Sequence, residues 1–223
     1  VILEVEETIS RVERTGETID VLVPKSREQG GTFIVAGLIV RRWLRDRRFS
    51  AGMVTRNEGD VDSKTNAGAL MYKVVYMLRM LPQWMLPCGF DFEKHRSLSE
   101  HVLFNPELES VVKGSAAVAD LFRGDRLTML FFDEAGSQEW ISSSKDYAAA
   151  ASTAHVANCR IFVSTFGADI GMFYSACDEP GSAKVLKLDW RDNPVHSRLA
   201  FLMREGIAVA RNLDDQSAVN AYI

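Results

Sequence analysis

The sequence predicts an α/β fold in which a mostly parallel central sheet is flanked by helices. Strand-like and helix-like segments alternate along the chain, as expected for βαβ units. Residues 127–132 are almost continuously apolar, which is typical of a parallel strand buried on both faces. A glycine-containing loop at residues 25–32 separates two apolar runs, in the place of a strand-to-helix turn. The chain has 223 residues and 47% hydrophobic content, which is enough for one such core.

The first half of the chain predicts two strands and two helices. Residues 19–23 and 51–55 have the composition of strands, and residues 32–44 between them are expected to be helical. A second helix is predicted at residues 62–80, because apolar residues recur there at helical spacing. Residues 81–92 contain prolines, aromatic residues and a glycine, and they are expected to be irregular.

The second half predicts further strands around one helix. Residues 97–119 suggest short antiparallel strands, and residues 142–157 are rich in alanine and expected to be helical. Residues 160–165 and 185–188 are predicted to be strands. We expect residues 1–204 to form one domain and residues 205–223 to be a linker. Because the chain does not begin with methionine, we expect it to be a fragment or a processed chain.

Composition excludes several classes of protein. The net charge of −4 gives no global basic signature, so any contact with nucleic acid must come from a local patch. The three cysteines are far apart and form no CxxC pair, which favours neither a zinc site nor a disulfide framework and suggests a reduced, intracellular setting. No apolar run approaches the ~20 residues of a membrane span.

The loop KSREQGGT at residues 25–32 has the length of a phosphate loop, G-x-x-x-x-G-K-[ST]. Lys25 stands at the first position and Gly30 at the sixth, while Gly31 occupies the place of the usual lysine and Thr32 the last place. Backbone amides could cradle phosphates, Thr32 could offer its hydroxyl to magnesium, and Lys25 or Arg27 could supply the positive charge. Taken alone, the loop is explained equally well as an ordinary strand-to-helix turn.

Two adjacent carboxylates follow the apolar run in LTMLFFDEAG, residues 127–136. A parallel strand would present them at its C-terminal end, where ligands of open α/β sheets bind. Since neighbours along a strand point to opposite sides, the two have different tasks. Asp133 suits holding magnesium or its waters, and Glu134 suits deprotonating an attacking water. The alternative is that the pair only begins a loop or caps a helix.

Two further motifs are weaker. In RIFVSTFGAD, residues 160–169, Ser164 and Thr165 follow a buried strand and could sense the γ-phosphate or couple its hydrolysis to movement; an ordinary strand end is the alternative. In FRGDR, residues 122–126, Arg123 or Arg126 could be an arginine finger, or simply a solvated arginine in a turn.

Together these motifs resemble the large terminase subunit, the DNA-packaging motor of tailed phages. Some members of that family carry a K-S-x-x-x-G-x-[ST] loop, which Lys25, Ser26, Gly30 and Thr32 match. The segments VTRNEGDVDSKT, FRGDRLTMLFFDEAG, FVSTFGADIGMFY and LDWRDNP resemble further family motifs in the family's order, with Phe166 replacing a common proline. The resemblance covers roughly residues 19–212. The family's glutamine-containing adenine motif is not evident in residues 1–18. We expect the chain to correspond to the family's ATPase domain without its nuclease domain.

The resemblance implies a P-loop NTPase of the type with an additional catalytic glutamate, using ATP and Mg²⁺. It assigns phosphate binding to the loop: Lys25, Ser26, Arg27, Gly30, Gly31 and Thr32. Thr32 and Asp133 would hold the metal, Glu134 would be the general base, Arg123 a finger, and Ser164 and Thr165 the coupling residues. Implied partners are double-stranded DNA, the portal ring, the small terminase subunit and further copies of the chain in a ring. The implied location is the cytoplasm of the infected host cell and, transiently, the procapsid portal, with no contact with a membrane.

Two other functions fit the same residues. A helicase-like P-loop ATPase would act on nucleic acid without a portal, but it usually needs a second RecA-like domain. A non-catalytic module with a decayed nucleotide site is favoured by the missing lysine at position 31 and opposed by the intact pair Asp133 and Glu134.

Overall fold

The structure is a computed structural model that describes residues 2–118, 122–136, 153–165, 172–189, 191, 201–204 and 207–210. Its helices are α1 (Ile2–Thr15), α2 (Gly31–Trp43), α3 (Leu70–Met80), α4 (Phe92–His95) and α5 (Met172–Asp178). Its strands are β1 (Ile19–Lys25), β2 (Ser50–Thr55), β3 (Arg96–Ser97), β4 (Val102–Asn105), β5 (Ser110–Ala116), β6 (Leu127–Asp133), β7 (Ala157–Thr165), β8 (Lys184–Val185), β9 (Phe201–Arg204) and β10 (Ile207–Ala210).

The predicted mostly parallel sheet is confirmed. Eight of the described strands form one sheet in the order β3-β4-β5-β2-β6-β7-β1-β8. From β5 to β8 all neighbours are parallel, and β3, β4 and β5 pair antiparallel at one end. Strand β7 lies between β1, which leads into the glycine loop, and β6, which leads into the two carboxylates. This order brings the ends of the three motif-bearing strands side by side.

Strand alternation divides the core into two faces. Val21 and Val23 of β1 pack with α1, α2 and α3, while Leu22 belongs to the cluster on the other face, together with Phe173 and Tyr174 of α5. In β6, Phe131 faces the α2 side and Phe132 the α5 side. The same alternation decides which polar residues at the strand ends face α2.

Several predicted boundaries differ from the structure. The helix predicted at 62–80 begins only at Leu70, because side chains upstream bond to the backbone instead: Ser63 Oγ accepts from the amides of Thr65 and Asn66, and Asn66 Oδ1 accepts from Gly68. Helix α1 was not predicted, although its buried residues Val5, Ile9 and Val12 have helical spacing.

Other predictions hold in part. Strands β4 and β5 are antiparallel, but β5 also pairs parallel with β2. The strand predicted at 185–188 covers only Lys184–Val185, followed by a single bridge between Lys25 and Leu188. Most of the helix predicted at 142–157 lies outside the described residues, and Ala157 belongs to β7. Strands β9 and β10 pair antiparallel across the predicted domain boundary at residue 204, which stays a prediction. None of the described helices has both the length and the apolar character needed to cross a bilayer.

Candidate active site

The candidate site lies at the C-terminal edge of the sheet, where β1, β7 and β6 end together. Lys25, the last residue of β1, is in register with Thr165, the last residue of β7. Asp133 ends β6 and is in register with Val163 of the same strand β7. Parallel pairing therefore places side chains from three distant parts of the sequence at one edge, next to the start of α2.

The glycine loop between β1 and α2 has the backbone of a turn that leads into a helix. Gly30 has φ +68° and stands immediately before α2, and Glu28 also has a positive φ of 60°. The first amides of an α-helix have no acceptor within the helix and carry the positive end of its dipole. The start of α2, from Gly31 onward, therefore directs N–H groups toward the sheet edge, as phosphate binding requires.

The packing around Gly31 explains why this loop has its lysine at position 25 and a glycine at the usual lysine position. A Cβ atom added at Gly31 would lie 2.8 Å from Cδ of Lys25 and 3.1 Å from Cγ1 of Val163. Any side chain at the usual lysine position would therefore collide with the stem of Lys25. The glycine at position 31 and the lysine at position 25 are two parts of one arrangement, in which Lys25 occupies the space beside α2.

Lys25 is a buried cation with two partners. Only 7% of the residue is exposed. Its Nζ donates a hydrogen bond to Oγ1 of Thr165 at 2.9 Å and lies 3.3 Å from Oε1 of Glu134. Of the two cations predicted to serve the loop, Lys25 reaches into the site, whereas Arg27 is exposed on the loop.

Thr32 and Asp133 form a further polar contact of the site. The Thr32 hydroxyl donates to Oδ1 of Asp133 at 2.9 Å, and the carboxylate is almost fully buried. The pKa of Asp133 is raised from 3.8 to about 6. Burial is the main cause and the charge of Glu134 adds to it, while the hydrogen bond from Thr32 acts in the opposite direction. A hydroxyl and a carboxylate oxygen side by side are ligands that Mg²⁺ prefers, so these residues fit the metal that the sequence predicts.

Glu134 differs from Asp133 in conformation and exposure. It has φ +55°, in the left-handed region that residues other than glycine rarely adopt, and its side chain is 48% exposed. Strained backbone of this kind is concentrated at functional sites. The two carboxylates, which were predicted to have different tasks, therefore also differ in position. Asp133 is buried against Thr32, and Glu134 faces solvent beside Lys25.

The structure separates the two predicted coupling residues. Thr165 lies on the α2 side and contacts Lys25, whereas Ser164 lies on the α5 side, where its Oγ accepts the amide of Gly136 at 2.8 Å. Gly136 has no room for a side chain, because an added Cβ would meet Ser164 Oγ at 2.8 Å and Tyr174 Oη at 3.0 Å. Ser164 thus holds the turn that follows Glu134 and does not face the glycine loop.

Arg123 is not among the residues that converge. It is an exposed residue of the turn at 122–126, just before β6 begins, at the edge of the sheet opposite to Asp133. Arg126, the alternative, lies in the same turn and is also exposed. The full length of β6 separates this turn from Asp133, and the role of either arginine stays a prediction.

Lys73 of α3 is a site residue that the sequence analysis missed. Its positive charge interacts with Asp133 and Glu134, and burial lowers its pKa. Its Nζ also donates to the carbonyl of Gly68 at 2.5 Å. Only the sheet topology could have indicated it: β2 neighbours β6, so the helix that follows β2 begins near the same edge.

Comparison with solved structures identifies proteins of the same fold. The large terminase of the thermophilic bacteriophage D6E matches with a TM-score of 0.54 and 16% identity, over 83% of this chain and 44% of the terminase. Its complex with ADP gives a TM-score of 0.56 at 15% identity, over 92% and 47%. The large terminase of bacteriophage HK97 gives 0.52 at 16% identity, over 94% and 44%.

The present chain thus spans somewhat under half the length of these terminases. No protein-family model and no curated protein matches the sequence at a significant level. At this identity the comparison establishes the architecture, and the predicted resemblance to large terminases is confirmed at that level. The chain has an α/β fold with a mostly parallel sheet, and it shares this architecture with the phage large terminases.

Proposed function

We propose that this chain is the ATP-hydrolysing motor domain of a viral large terminase, which powers the movement of double-stranded DNA into a procapsid. The observation that carries the proposal is the convergence of three polar contacts at one sheet edge. Lys25 contacts Thr165 and Glu134, and Thr32 contacts Asp133. These are the residue types that phosphoryl transfer to water requires: a cation, a hydroxyl and carboxylate for a metal, and a base.

In this proposal each residue has a task set by its position. The amides at the start of α2 and the ammonium of Lys25 bind the phosphates of ATP. Glu134, half exposed beyond the end of β6, orients a water molecule and accepts its proton. The water attacks the γ-phosphorus, the bond from that phosphorus to the bridging oxygen of ADP breaks, and inorganic phosphate leaves. Catalysis then comes from positioning and from electrostatics.

Thr32 and Asp133 would hold Mg²⁺ in this scheme. When bound, Mg²⁺ neutralises charge on the phosphates and fixes their orientation. The raised pKa of Asp133, about 6, is consistent with a carboxylate buried for such a purpose, since a nearby cation would favour its ionised form.

The partners follow from the same proposal. They are double-stranded DNA, a portal ring, a small terminase subunit and further copies of the chain in a ring, in the cytoplasm of an infected host cell and at the procapsid portal. Residues 205–223 would lead toward a nuclease domain in the whole protein. The large terminases with the same fold are about twice as long as this chain, which is compatible with a further domain.

The test is the change Glu134→Gln, which removes the base and keeps the size of the side chain. We expect nucleotide binding to persist while hydrolysis falls by ~10²–10⁴-fold, the range for loss of a general base. Turnover is measured in an assembly in which the parent is active. Glu7→Gln, the same change at an exposed position of α1, is the control and should have no effect. Parental turnover in Glu134→Gln would overturn the assignment of the base.

The same assay separates the rival functions. A non-catalytic module with a decayed nucleotide site would not hydrolyse ATP under any assembly condition. A helicase-like ATPase would be stimulated by nucleic acid in the absence of a portal. Hydrolysis that depends on the portal, together with loss in Glu134→Gln, is the pattern expected of a packaging motor.

A further inference from the structure

The ammonium of Lys25 stands between two groups that belong to different parts of the proposed mechanism. It donates to the neutral hydroxyl of Thr165 at 2.9 Å, and it faces the charged oxygen of Glu134 at 3.3 Å. The proposed function gives the same ammonium a third partner, the phosphates of ATP. A lysine head group has three N–H donors but only one charge, so the base and the phosphates compete for it.

The two protein partners of Lys25 are held differently. Thr165 is fixed by the register of β7 against β1, and its carbonyl accepts a hydrogen bond from Tyr174 Oη at 2.7 Å. Glu134 lies past the end of its strand, with a left-handed backbone and a half-exposed side chain. Thr165 is therefore a rigid support for the ammonium, whereas Glu134 is a partner that can leave.

We propose that Thr165 is a positioning residue for Lys25, and that Lys25 is shared between Glu134 and the nucleotide phosphates. Without nucleotide, the ammonium holds the Glu134 carboxylate in an ion pair, so the carboxylate is engaged and cannot act as a base. Phosphate binding draws the ammonium away, Thr165 keeps it at the sheet edge, and Glu134 becomes available as a base. This inference rests on the proposed function and adds a link between occupancy of the phosphate site and availability of the base.

The first test is a double-mutant cycle on binding. Glu134→Gln removes the competitor for Lys25 and should tighten the binding of ADP and of a non-hydrolysable ATP analogue. For a pair with one half-exposed partner we expect a factor of about 2–5. Removing a negative charge also reduces general repulsion, so the same change is made in a Lys25→Met background, which keeps most of the stem. The gain should shrink or vanish there.

The second test uses Thr165. Thr165→Val keeps the shape and loses the hydroxyl, and it should weaken ADP binding by about 10-fold, the lower range for a hydrogen bond to a charged group. Thr165→Ser retains the hydroxyl and should restore most of that affinity. Adenosine, which has no phosphate, should bind all three proteins alike. A merely structural role of Thr165 predicts equal losses for ADP and adenosine and no rescue specific to serine.

The outcomes distinguish the inference from the proposed function. Equal gains from Glu134→Gln with and without Lys25 would overturn the sharing, while nucleotide binding and the motor proposal would survive. Equal ADP affinity in Thr165→Val and the parent would overturn the positioning role. A parent protein that binds neither ADP nor the analogue would overturn the proposed function and this inference with it.

Discussion

The charged residues at the two edges of the central sheet differ in their exposure to solvent. At the C-terminal edge, Lys25 and Asp133 are buried and bonded to other residues of the site. At the N-terminal edge, Arg123 and Arg126 lie exposed in a turn. The first edge is built from buried residues of one chain, whereas the arginines of the second edge are exposed at the surface.

This difference indicates which residues can act within one chain. Strand β6 separates the edges with seven residues, or about 23 Å at ~3.3 Å per residue. Arg123 therefore cannot easily reach a phosphate at its own site. In a ring of identical subunits, the N-terminal edge of one copy could face the C-terminal edge of the next. Three predictions use the comparison between the edges.

The largest effect is expected at the N-terminal edge. If Arg123 completes the site of a neighbouring copy, Arg123→Ala should bind ATP normally and lose ~10³–10⁵-fold in hydrolysis, the range for an arginine finger. Mixing it with Glu134→Gln subunits should restore part of the activity, because one site can combine Glu134 of one chain with Arg123 of another. ATPase rates of the two variants, alone and mixed, provide the measurement.

Arg47→Ala, another exposed arginine, is the control and should hydrolyse ATP at the parental rate. No recovery on mixing, in subunits shown to assemble together, would indicate a finger within its own chain or a role for Arg126. Parental activity in Arg123→Ala would show that Arg123 is an ordinary surface arginine. The N-terminal edge would then have no role in hydrolysis through this residue.

The sequence predicted the architecture because its signals are local. Buried strands such as β6 are continuous apolar runs, and the glycine loop lies between two of them. The parallel sheet then follows from alternation with helices. Lys25 and Asp133 lie at the same edge because the ends of parallel strands meet there. Ser164 and Thr165 face opposite sides of the sheet because successive side chains along β7 alternate between its two faces.

Other features depend on contacts that no local pattern reveals. The need for glycine at position 31 depends on a distance of 2.8 Å between an added Cβ and Cδ of Lys25. Lys73 joins the site only because β2 neighbours β6, although the two are far apart in sequence. The start of α3 depends on side chains upstream that bond to the backbone. The apolar residues keep helical spacing through the same segment, so their pattern alone does not show where the helix begins.

A smaller effect is expected from Asp133 at the C-terminal edge. Its folded pKa of about 6 lies above the ordinary 3.8, so the folded protein holds this proton more tightly than the unfolded chain does. The carboxylate therefore destabilises the nucleotide-free fold above pH 6 and contributes nothing below pH 3.8. Two pKa units at 1.36 kcal/mol each give an upper value of about 3 kcal/mol.

Asp133→Asn keeps an oxygen for Thr32 and should raise the free energy of unfolding at pH 8 by up to that amount. The gain should fade as the pH approaches 4. Denaturant unfolding of both proteins at several pH values measures it. Asp125→Asn, at the N-terminal edge, loses a partly exposed ion pair with Lys113 and should instead cost at most about 1 kcal/mol. A less stable Asp133→Asn at pH 8 would show that this carboxylate is stabilised by its surroundings.

The smallest effect tests the arrangement of Lys25 and Gly31. Lys25→Ala should weaken ATP binding by about 10-fold and leave adenosine binding unchanged, because the charge acts on phosphates. Gly31→Lys alone should destabilise the protein by about 1–3 kcal/mol, since its Cβ meets Cδ of Lys25. Combining the two removes that collision, leaves Val163 at 3.1 Å and Leu188 at 3.4 Å from the new Cβ, and places a lysine at the usual loop position.

The double variant should therefore recover much of the lost ATP affinity, which titration calorimetry with ATP and adenosine can measure. Lys25→Ala with Gly31→Ala is the matched control: it supplies the same Cβ without a charge and should recover nothing. If Lys25→Ala binds ATP as well as the parent does, Arg27 supplies the charge from the exposed loop. The buried cation would then serve Thr165 and Glu134 alone, and the C-terminal edge would contain an ion pair without a role in phosphate binding.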